Sequence, residues 1–158
     1  MKRNLVLLFL LSIFLYSCGS DDDICISGEA TPRMKIKFKT KSTGKMKTLD
    51  SLFIAVDYGK GPVPVFGSVM KTDSVLIPLR VDETPFTEMY VGTSRKKVDS
   101  KIKLNYTTVA QYVSPACGIK KLYQNFIPEL EVPNAVLGIE LNQTQIIDES
   151  KTHLFLLF

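Results

Sequence analysis

The sequence predicts an all-β fold, an antiparallel β-sandwich of the Greek-key or immunoglobulin-like kind with seven to nine strands. Three observations favour it: apolar and polar residues alternate with a period of two, turn-forming residues recur about every ten residues, and no long segment has helical periodicity. The chain of 158 residues, 45% hydrophobic and 23% charged, is typical of one globular domain and unlike a disordered or collagen-like protein.

The first half of the chain contains four predicted strands, at residues 34–39, 52–57, 63–66 and 75–81. In the first, Met34, Ile36 and Phe38 alternate with lysines, which is typical of a strand with one buried and one solvated face. Pro64 predicts that the third strand lies at a sheet edge, because proline cannot donate to a sheet ladder. A hairpin turn is expected at residues 59–62, since Pro62 lacks the N–H that a phosphate-binding loop would need.

The second half predicts strands at residues 87–93, 101–113, 136–147 and 153–158. Turns are expected at residues 95–97 and 114–118, where basic or small residues adjoin turn formers. The segment 119–127 stays ambiguous, because its apolar residues fit either a strand or one helical stripe. The last segment is strongly apolar, so we expect it to be a buried final strand rather than a free tail that would aggregate.

The N-terminus predicts a secretory signal. Lys2 and Arg3 precede an apolar run over residues 5–16, which is shorter than the roughly 20 residues of a lasting membrane span. Residues 15–18 (Leu-Tyr-Ser-Cys) resemble the lipobox of bacterial lipoproteins, which implies removal of residues 1–17 and lipidation of Cys18. A plain secretory signal with an unmodified cysteine is the alternative.

The predicted lipidated tether covers residues 18–24, and one β-sandwich domain covers residues 25–158. The three aspartates of the tether, residues 21–23, resemble the acidic export signal that some Gram-negative bacteria place on surface lipoproteins. They are also what a solvated, self-repelling linker would contain. We expect an outer-membrane location, facing the cell surface rather than the periplasm, with lipid chains as the membrane anchor.

Two cysteines remain if Cys18 is lipidated. An even pair in an exported protein predicts a disulfide between Cys25 and Cys117. In the chain-entropy model such a bond, closing a loop of about 90 residues, contributes roughly 4 to 5 kcal/mol. Two buried, reduced thiols are the alternative.

Catalytic chemistry is not expected from the sequence. His153, the only histidine, lies in an apolar segment without neighbouring ligands, and the common nucleophile, nucleotide and metalloprotease motifs are missing. We therefore predict no cofactor and no metal. Adjacent acids, Asp82 with Glu83 or Glu129 with Glu131, leave a hydrolase with unfamiliar carboxylate chemistry as an alternative function.

A cluster of lysines within thirteen residues is a candidate polyanion-binding surface. Its members are Lys35, Lys37, Lys39, Lys41, Lys45 and Lys47. The interpretation we favour is that lysines on an exposed strand protect a sheet edge from pairing with another chain. No aromatic residue is interleaved on the same face of that strand, so nucleic acid is not expected as a partner.

Two serines are candidate O-glycosylation sites. Asp50-Ser51-Leu52 and Asp73-Ser74-Val75 resemble the short acceptor motif used on exported proteins of some of these bacteria. Both precede predicted strands, where aspartate and serine are also ordinary turn residues. Modification of Ser51 and Ser74 is therefore a hypothesis beside a purely structural role.

The lipobox, the acidic tether, Cys25 followed by Thr31-Pro32-Arg33, and the late segment 114–118 (Ser-Pro-Ala-Cys-Gly) together resemble an uncharacterised family of small lipoproteins of Gram-negative bacteria. The resemblance implies location and domain character, fits the pairing of Cys25 with Cys117, and carries no catalytic residues. The predicted function is a non-catalytic binding or accessory module with an envelope protein or glycan as partner. A polyanion- or glycan-binding module that uses the 35–47 lysines is an alternative.

Overall fold

The computed structural model describes residues 30–94, 99–115 and 117–158. The predicted signal peptide, Cys18, the acidic tether, Cys25 and the predicted turn at 95–97 lie outside the described residues. The elements, in chain order, are β1 (Met34–Lys39), β2 (Leu52–Asp57), β3 (Pro62–Ser68), β4 (Ser74–Ile77), β5 (Phe86–Gly92), β6 (Ser100–Ser114), β7 (Gly118–Val132), β8 (Gly138–Leu141) and β9 (Leu154–Leu157).

These strands form two sheets, one of four strands in the order β4-β1-β9-β8 and one of five in the order β3-β2-β5-β6-β7. Alternate residues of β1 and of β2 are buried, as their period-two pattern predicts. The fully buried side chains come from both sheets and include Phe38, Ile54, Leu104 and Leu156. The predicted all-β sandwich of seven to nine strands is therefore confirmed, with nine strands in the described residues.

β1 lies inside its sheet, between β4 and β9, so the interpretation of its lysines as protection of a sheet edge is wrong. β1 pairs parallel with β9, with Ile36 opposite Leu154, whereas the other strand pairs of the described chain are antiparallel. The interior position follows from the composition of β9, because Leu154 and Leu156 are fully buried next to the apolar residues of β1. The predicted final strand is confirmed.

β3 is an edge strand, as Pro64 predicts, and its pairing with β2 contains a bulge between Ile54 and Ala55. The predicted hairpin turn before it is also present. Asp57 organises this turn, because its Oδ1 accepts hydrogen bonds from the N–H groups of Gly59 at 2.6 Å and Gly61 at 3.1 Å. Both glycines have a positive φ, near 96° and 98°, which other residues rarely adopt.

β6 and β7 form a hairpin that extends past its neighbours. β5 pairs with β6 only from Ser100 to Asn105, and beyond that point β6 pairs with β7 alone among the described strands. We call residues 107–124 the hairpin arm. The predicted turn at 114–118 is its tip, although residue 116 lies outside the described part of the chain.

The segment 119–127, which the sequence left ambiguous, belongs to β7. A bulge interrupts its pairing with β6, since Asn105 faces Ile127 while Thr107 faces Gln124. Asn125 supplies the extra residue and has φ near 53°, in the left-handed region that asparagine tolerates better than most residues. The bulge shifts the alternation of buried and exposed side chains along β7 by one residue, so that Tyr123 and Phe126 are both buried.

β8 is shorter than predicted. The predicted strand at 136–147 forms only four residues of β8, after which Asn142 donates its backbone N–H to the carbonyl of His153 at 2.9 Å. Ile146 instead forms a two-residue antiparallel bridge with Tyr123 of β7, and both side chains are fully buried. This bridge links the loop between β8 and β9 to the five-stranded sheet.

Candidate functional site

The outer face of the five-stranded sheet has a cleft of about 550 Å³, within the range of small-molecule binding sites. Its lining is mostly apolar and comes from β2, from β3 and from the residue preceding β6. The lining residues are Phe53, Ile54, Ala55, Pro64, Val65, Phe66, Gly67 and Asp99.

Two glycines give this face its shape. Phe53 pairs with Gly67 on one side and with Gly92 on the other. A Cβ atom on Gly67 would lie 3.4 Å from Cδ1 of Phe53, and one on Gly92 would lie 2.1 Å from Oδ1 of Asp99. The glycines therefore leave room for an aromatic ring over one strand and a carboxylate over another.

Asp99 is the charged side chain among the described residues that line the cleft. Partial burial raises the pKa of its carboxyl above the ordinary value. One polar group in an apolar cleft is the pattern by which small-molecule sites orient a ligand. The geometry is thus suited to a ligand with an apolar part and a hydrogen-bond donor or positive charge.

Sequence reasoning missed this cleft, because its residues come from three separated segments. The available signal was glycine at positions 67 and 92 inside or beside predicted strands. Such glycines often mark a bulge or a close approach of another group to the backbone.

Ion pairs join β5, β6 and β7 elsewhere on this outer face. Lys101 Nζ lies 2.8 Å from Glu88 Oε1 and 3.0 Å from Glu131 Oε2, and the Tyr90 hydroxyl donates to Glu88 Oε2 at 3.1 Å. The lysine, more than the tyrosine, holds the pKa of Glu88 below its usual value. Glu88 is therefore an ionised acceptor at neutral pH, and its chemistry here is structural pairing.

The six candidate lysines do not form one continuous surface. Lys35, Lys37 and Lys39 lie on the outer face of the four-stranded sheet, whereas the other three lie in the turn after β1 and the segment that follows it. Lys35 Nζ donates to the carbonyl of Ser150 at 3.2 Å. Lys39 Nζ forms an ion pair with Glu140 and lies 4.0 Å from the centroid of the Phe155 ring, an aromatic contact that β9 supplies.

The lysines of the turn are also partly engaged. Lys41 Nζ donates to the carbonyl of Leu137 at 2.7 Å, and Lys47 Nζ lies 5.8 Å from the centroid of the Phe158 ring. Within the described residues, the ammonium groups of Lys37 and Lys45 make no hydrogen bond or ion pair. These two are the lysines best placed to meet an external anion.

The two candidate glycosylation serines both use their hydroxyl groups within the fold. Ser51 Oγ donates to the carbonyl of Thr93 at 2.6 Å and is partly buried. Ser74 Oγ donates to Oδ1 of Asp73 at 2.9 Å, next to the start of β4. A glycan on Ser51 would have to replace a hydrogen bond between the start of β2 and the end of β5, whereas Ser74 needs only a local rearrangement.

Cys117 lies at the tip of the hairpin arm and is not a free thiol. Its backbone N–H donates to Ser114 Oγ at 3.1 Å, which closes the turn. Its predicted partner, Cys25, lies outside the described residues, so this pairing stays a prediction.

His153 is buried and joins β9 to β1. The side-chain Nδ1 accepts the backbone N–H of Lys35 at 2.9 Å, and the backbone N–H of His153 donates to the Lys35 carbonyl at 2.9 Å. Burial lowers the pKa of the imidazole, which therefore stays neutral with its proton on Nε2. In this arrangement the side chain acts as a fixed hydrogen-bond acceptor for the sheet.

Asp82 and Glu83, one of the two adjacent acid pairs suggested for hydrolysis, bind different partners in the fold. Asp82 pairs with Arg80 at 2.6 Å, and hydrogen bonds from Arg80 and the Thr84 N–H lower the pKa of Asp82 to about 2. Glu83 instead lies 3.2 Å from Lys121 Nζ. Asp82 is thus a poor general acid at neutral pH.

The described residues contain neither a metal-binding cluster nor a membrane-spanning helix. No group of three or more histidine, cysteine or acidic side chains in residues 30–94, 99–115 and 117–158 is arranged to hold a metal ion. Over the same residues, no helix has the length and apolar character needed to cross a bilayer.

Comparisons of the chain with protein-family models, with curated proteins and with solved structures found no significant match.

Proposed function

We propose that this chain is a lipid-anchored protein of the outer membrane that acts as a non-catalytic binding or accessory module. The lipobox-like residues 15–18 support the anchor, and the resemblance to small Gram-negative lipoproteins supports the location. The observation that carries the binding role is the cleft on the outer face of the five-stranded sheet, where Asp99 lies within an apolar lining.

The cleft would bind by a combination of burial and orientation. Covering Phe53 and Pro64 removes apolar surface from water, at about 25 cal/mol per Å² of buried area. The Asp99 carboxylate then accepts a hydrogen bond from the ligand in surroundings less polar than water, which strengthens the contact. The ligand class that fits is an envelope glycan, peptide or amine with an apolar face beside a donor group.

A chemical-shift screen tests this role. The mature chain with Cys18→Ala would be titrated with amino sugars, acidic glycans, short basic peptides and simple amines. We expect shifts confined to the cleft residues, and we expect them to disappear in Ala55→Phe, which fills the cleft. Val69→Phe is the matched control, because Val69 is exposed and does not line the cleft. Shifts that are unchanged in Ala55→Phe would refute the site.

The anchor and its orientation need a separate experiment. Metabolic labelling with a fatty acid should mark the native protein and not the Cys18→Ala variant. Protease treatment of intact cells should then remove the domain if the acidic tether directs it to the cell surface, and lysed cells show whether the fold can be cut at all. Protection in intact cells but not in lysed cells would place the domain on the periplasmic side.

Polyanion binding is the second candidate, and the lack of side-chain partners for Lys37 and Lys45 within the described residues supports it. The variant Lys37→Glu with Lys45→Glu should reduce retention on an anionic polysaccharide, with a steep salt dependence. Lys60→Glu is the control, because Lys60 is exposed in the turn between β2 and β3. Equal retention of both variants would remove this candidate.

The hydrolase alternative has a direct test. A panel of glycoside and ester substrates should show no turnover by the mature protein. Turnover that is lost in Asp82→Asn or Glu129→Gln would replace the non-catalytic proposal with the enzymatic one.

A further inference from the structure

The hairpin arm carries exposed apolar side chains far from the core. Tyr112 and Ile119 form a cross-strand pair near its tip and are 65% and 64% exposed. Val109, three residues closer to the rest of the five-stranded sheet on β6, is also exposed. Residues 107–124 contain no aspartate or glutamate and two lysines, so the arm is uncharged or basic along its whole length.

The described chain begins beside this arm. Thr31, near the start of the described chain, accepts a hydrogen bond through Oγ1 from the backbone N–H of Lys121 at 2.9 Å. Lys121 is four residues from Cys117, a distance of about 13 Å along a strand. Ala30 lies twelve positions after Cys18, so the lipid can be at most about 40 Å from the start of the described domain.

The opposite end of the sandwich is remote from Thr31. Ser68 at the end of β3 faces Leu52 at the start of β2, whereas the arm leaves the sheet beyond Asn105, at the other end of β6. Met70, in the loop after β3, is 73% exposed at this opposite end. The arm and the first described residues therefore share one end of the sandwich, which the proposed anchor would hold nearest to the bilayer.

We propose that the tip of the arm is a second membrane contact, with Tyr112 and Ile119 lying in the headgroup region of the leaflet that holds the Cys18 lipid. This inference rests on the proposed lipid anchor. Tyrosine is enriched at membrane–water interfaces, where its ring is buried and its hydroxyl stays hydrated. An apolar tip without acidic residues also suits an anionic headgroup layer, and a second contact would fix the orientation of the domain above the membrane.

Fluorescence can locate the tip, because the chain contains no tryptophan. The full-length lipoprotein with Tyr112→Trp would be reconstituted in vesicles of phosphatidylethanolamine and phosphatidylglycerol, with and without lipids brominated near the headgroup end of the acyl chains. We expect a blue-shifted emission and at least about a twofold loss of intensity on bromination. Ile119→Trp is the second probe, and Met70→Trp is the matched control that should show neither effect.

Three outcomes decide the inference. Quenching of the two arm probes but not of Met70→Trp supports it. Arm emission that matches the control, or that shifts to the blue without quenching by bromine, would overturn it, the latter because the tip would then lie against protein. Flotation of the same samples separates the two proposals: protein that fails to float with vesicles refutes the anchor and this inference together, whereas protein that floats with unquenched probes refutes the arm contact alone.

Discussion

Replacing His153 by leucine should destabilise the four-stranded sheet, because the Lys35 N–H would lose the acceptor that Nδ1 provides at 2.9 Å. A buried donor without a partner costs about 1 to 3 kcal/mol. With a urea m-value of about 2 kcal/mol/M, a loss of about 2 kcal/mol lowers the urea midpoint by about 1 M. Urea unfolding followed by circular dichroism at neutral pH measures this shift.

His153→Asn is the matched variant, because the asparagine Oδ1 can accept the same N–H from a similar position. We expect it to lose less than half as much stability as His153→Leu. Equal losses in the two variants would show that the shape of the His153 side chain, rather than its hydrogen bond, provides the stability.

The same contact predicts a dependence on pH. Burial holds the pKa of His153 below its usual value, with Asp148 opposing and Lys35 reinforcing this effect. Since the folded state prefers the neutral imidazole, the stability is fully present above the unfolded pKa of about 6.5 and is lost as the pH falls below it. The urea midpoint should fall between pH 7.5 and pH 5 in the native protein and change less in His153→Asn. A fall of the same size in both proteins would refute the reasoning.

Three other substitutions test the fold. Asn125→Val should cost about 1 to 2 kcal/mol in urea unfolding because of the positive φ at the bulge, whereas Asn125→Gly should be tolerated, and equal effects would contradict the strain argument. Ser100→Ala should cost about 1 to 3 kcal/mol, since Ser100 Oγ accepts the buried N–H of Val136 at 2.9 Å, whereas the Asn134 N–H, which it accepts at 3.0 Å, also donates to the Val136 carbonyl; an unchanged midpoint would mean that another acceptor replaces it. Tyr106→Phe should lower thermal stability by about 1 kcal/mol through loss of its buried 2.6 Å hydrogen bond to Thr87, and a neutral result would show that Thr87 finds another partner.

β1 and β2 could be predicted to the residue, because each has one face on the core and its alternation is uninterrupted. β7 could not, and its bulge explains why. Tyr123 and Phe126 are both fully buried although they are three residues apart, because Asn125 is an extra residue between them. This spacing imitates the period of a helix, so the pattern alone could not separate a bulged strand from a helical turn.

The order of strands and the candidate site were beyond sequence patterns. The interior position of β1 depends on β9, more than 100 residues later, and nothing local to Lys35 or Lys37 indicates such a neighbour. The cleft likewise needs Phe53, Gly67 and Asp99 from three segments that only the sheet brings together. Local alternation predicts which face of a strand is buried, but not which strands lie beside it.

The pairing of β1 with β9 has a consequence for the biogenesis of the protein. Lys35 and His153, which hydrogen-bond across this pair, are 118 residues apart, so under the proposed export from the N-terminus β1 emerges long before β9. During that interval the apolar side chains of β1 have no parallel neighbour, and pairings over such sequence distances form slowly. Given the proposed export, we expect the emerging chain to depend on envelope chaperones, and expect their depletion to lower the yield of this protein more than that of sandwiches closed by local hairpins.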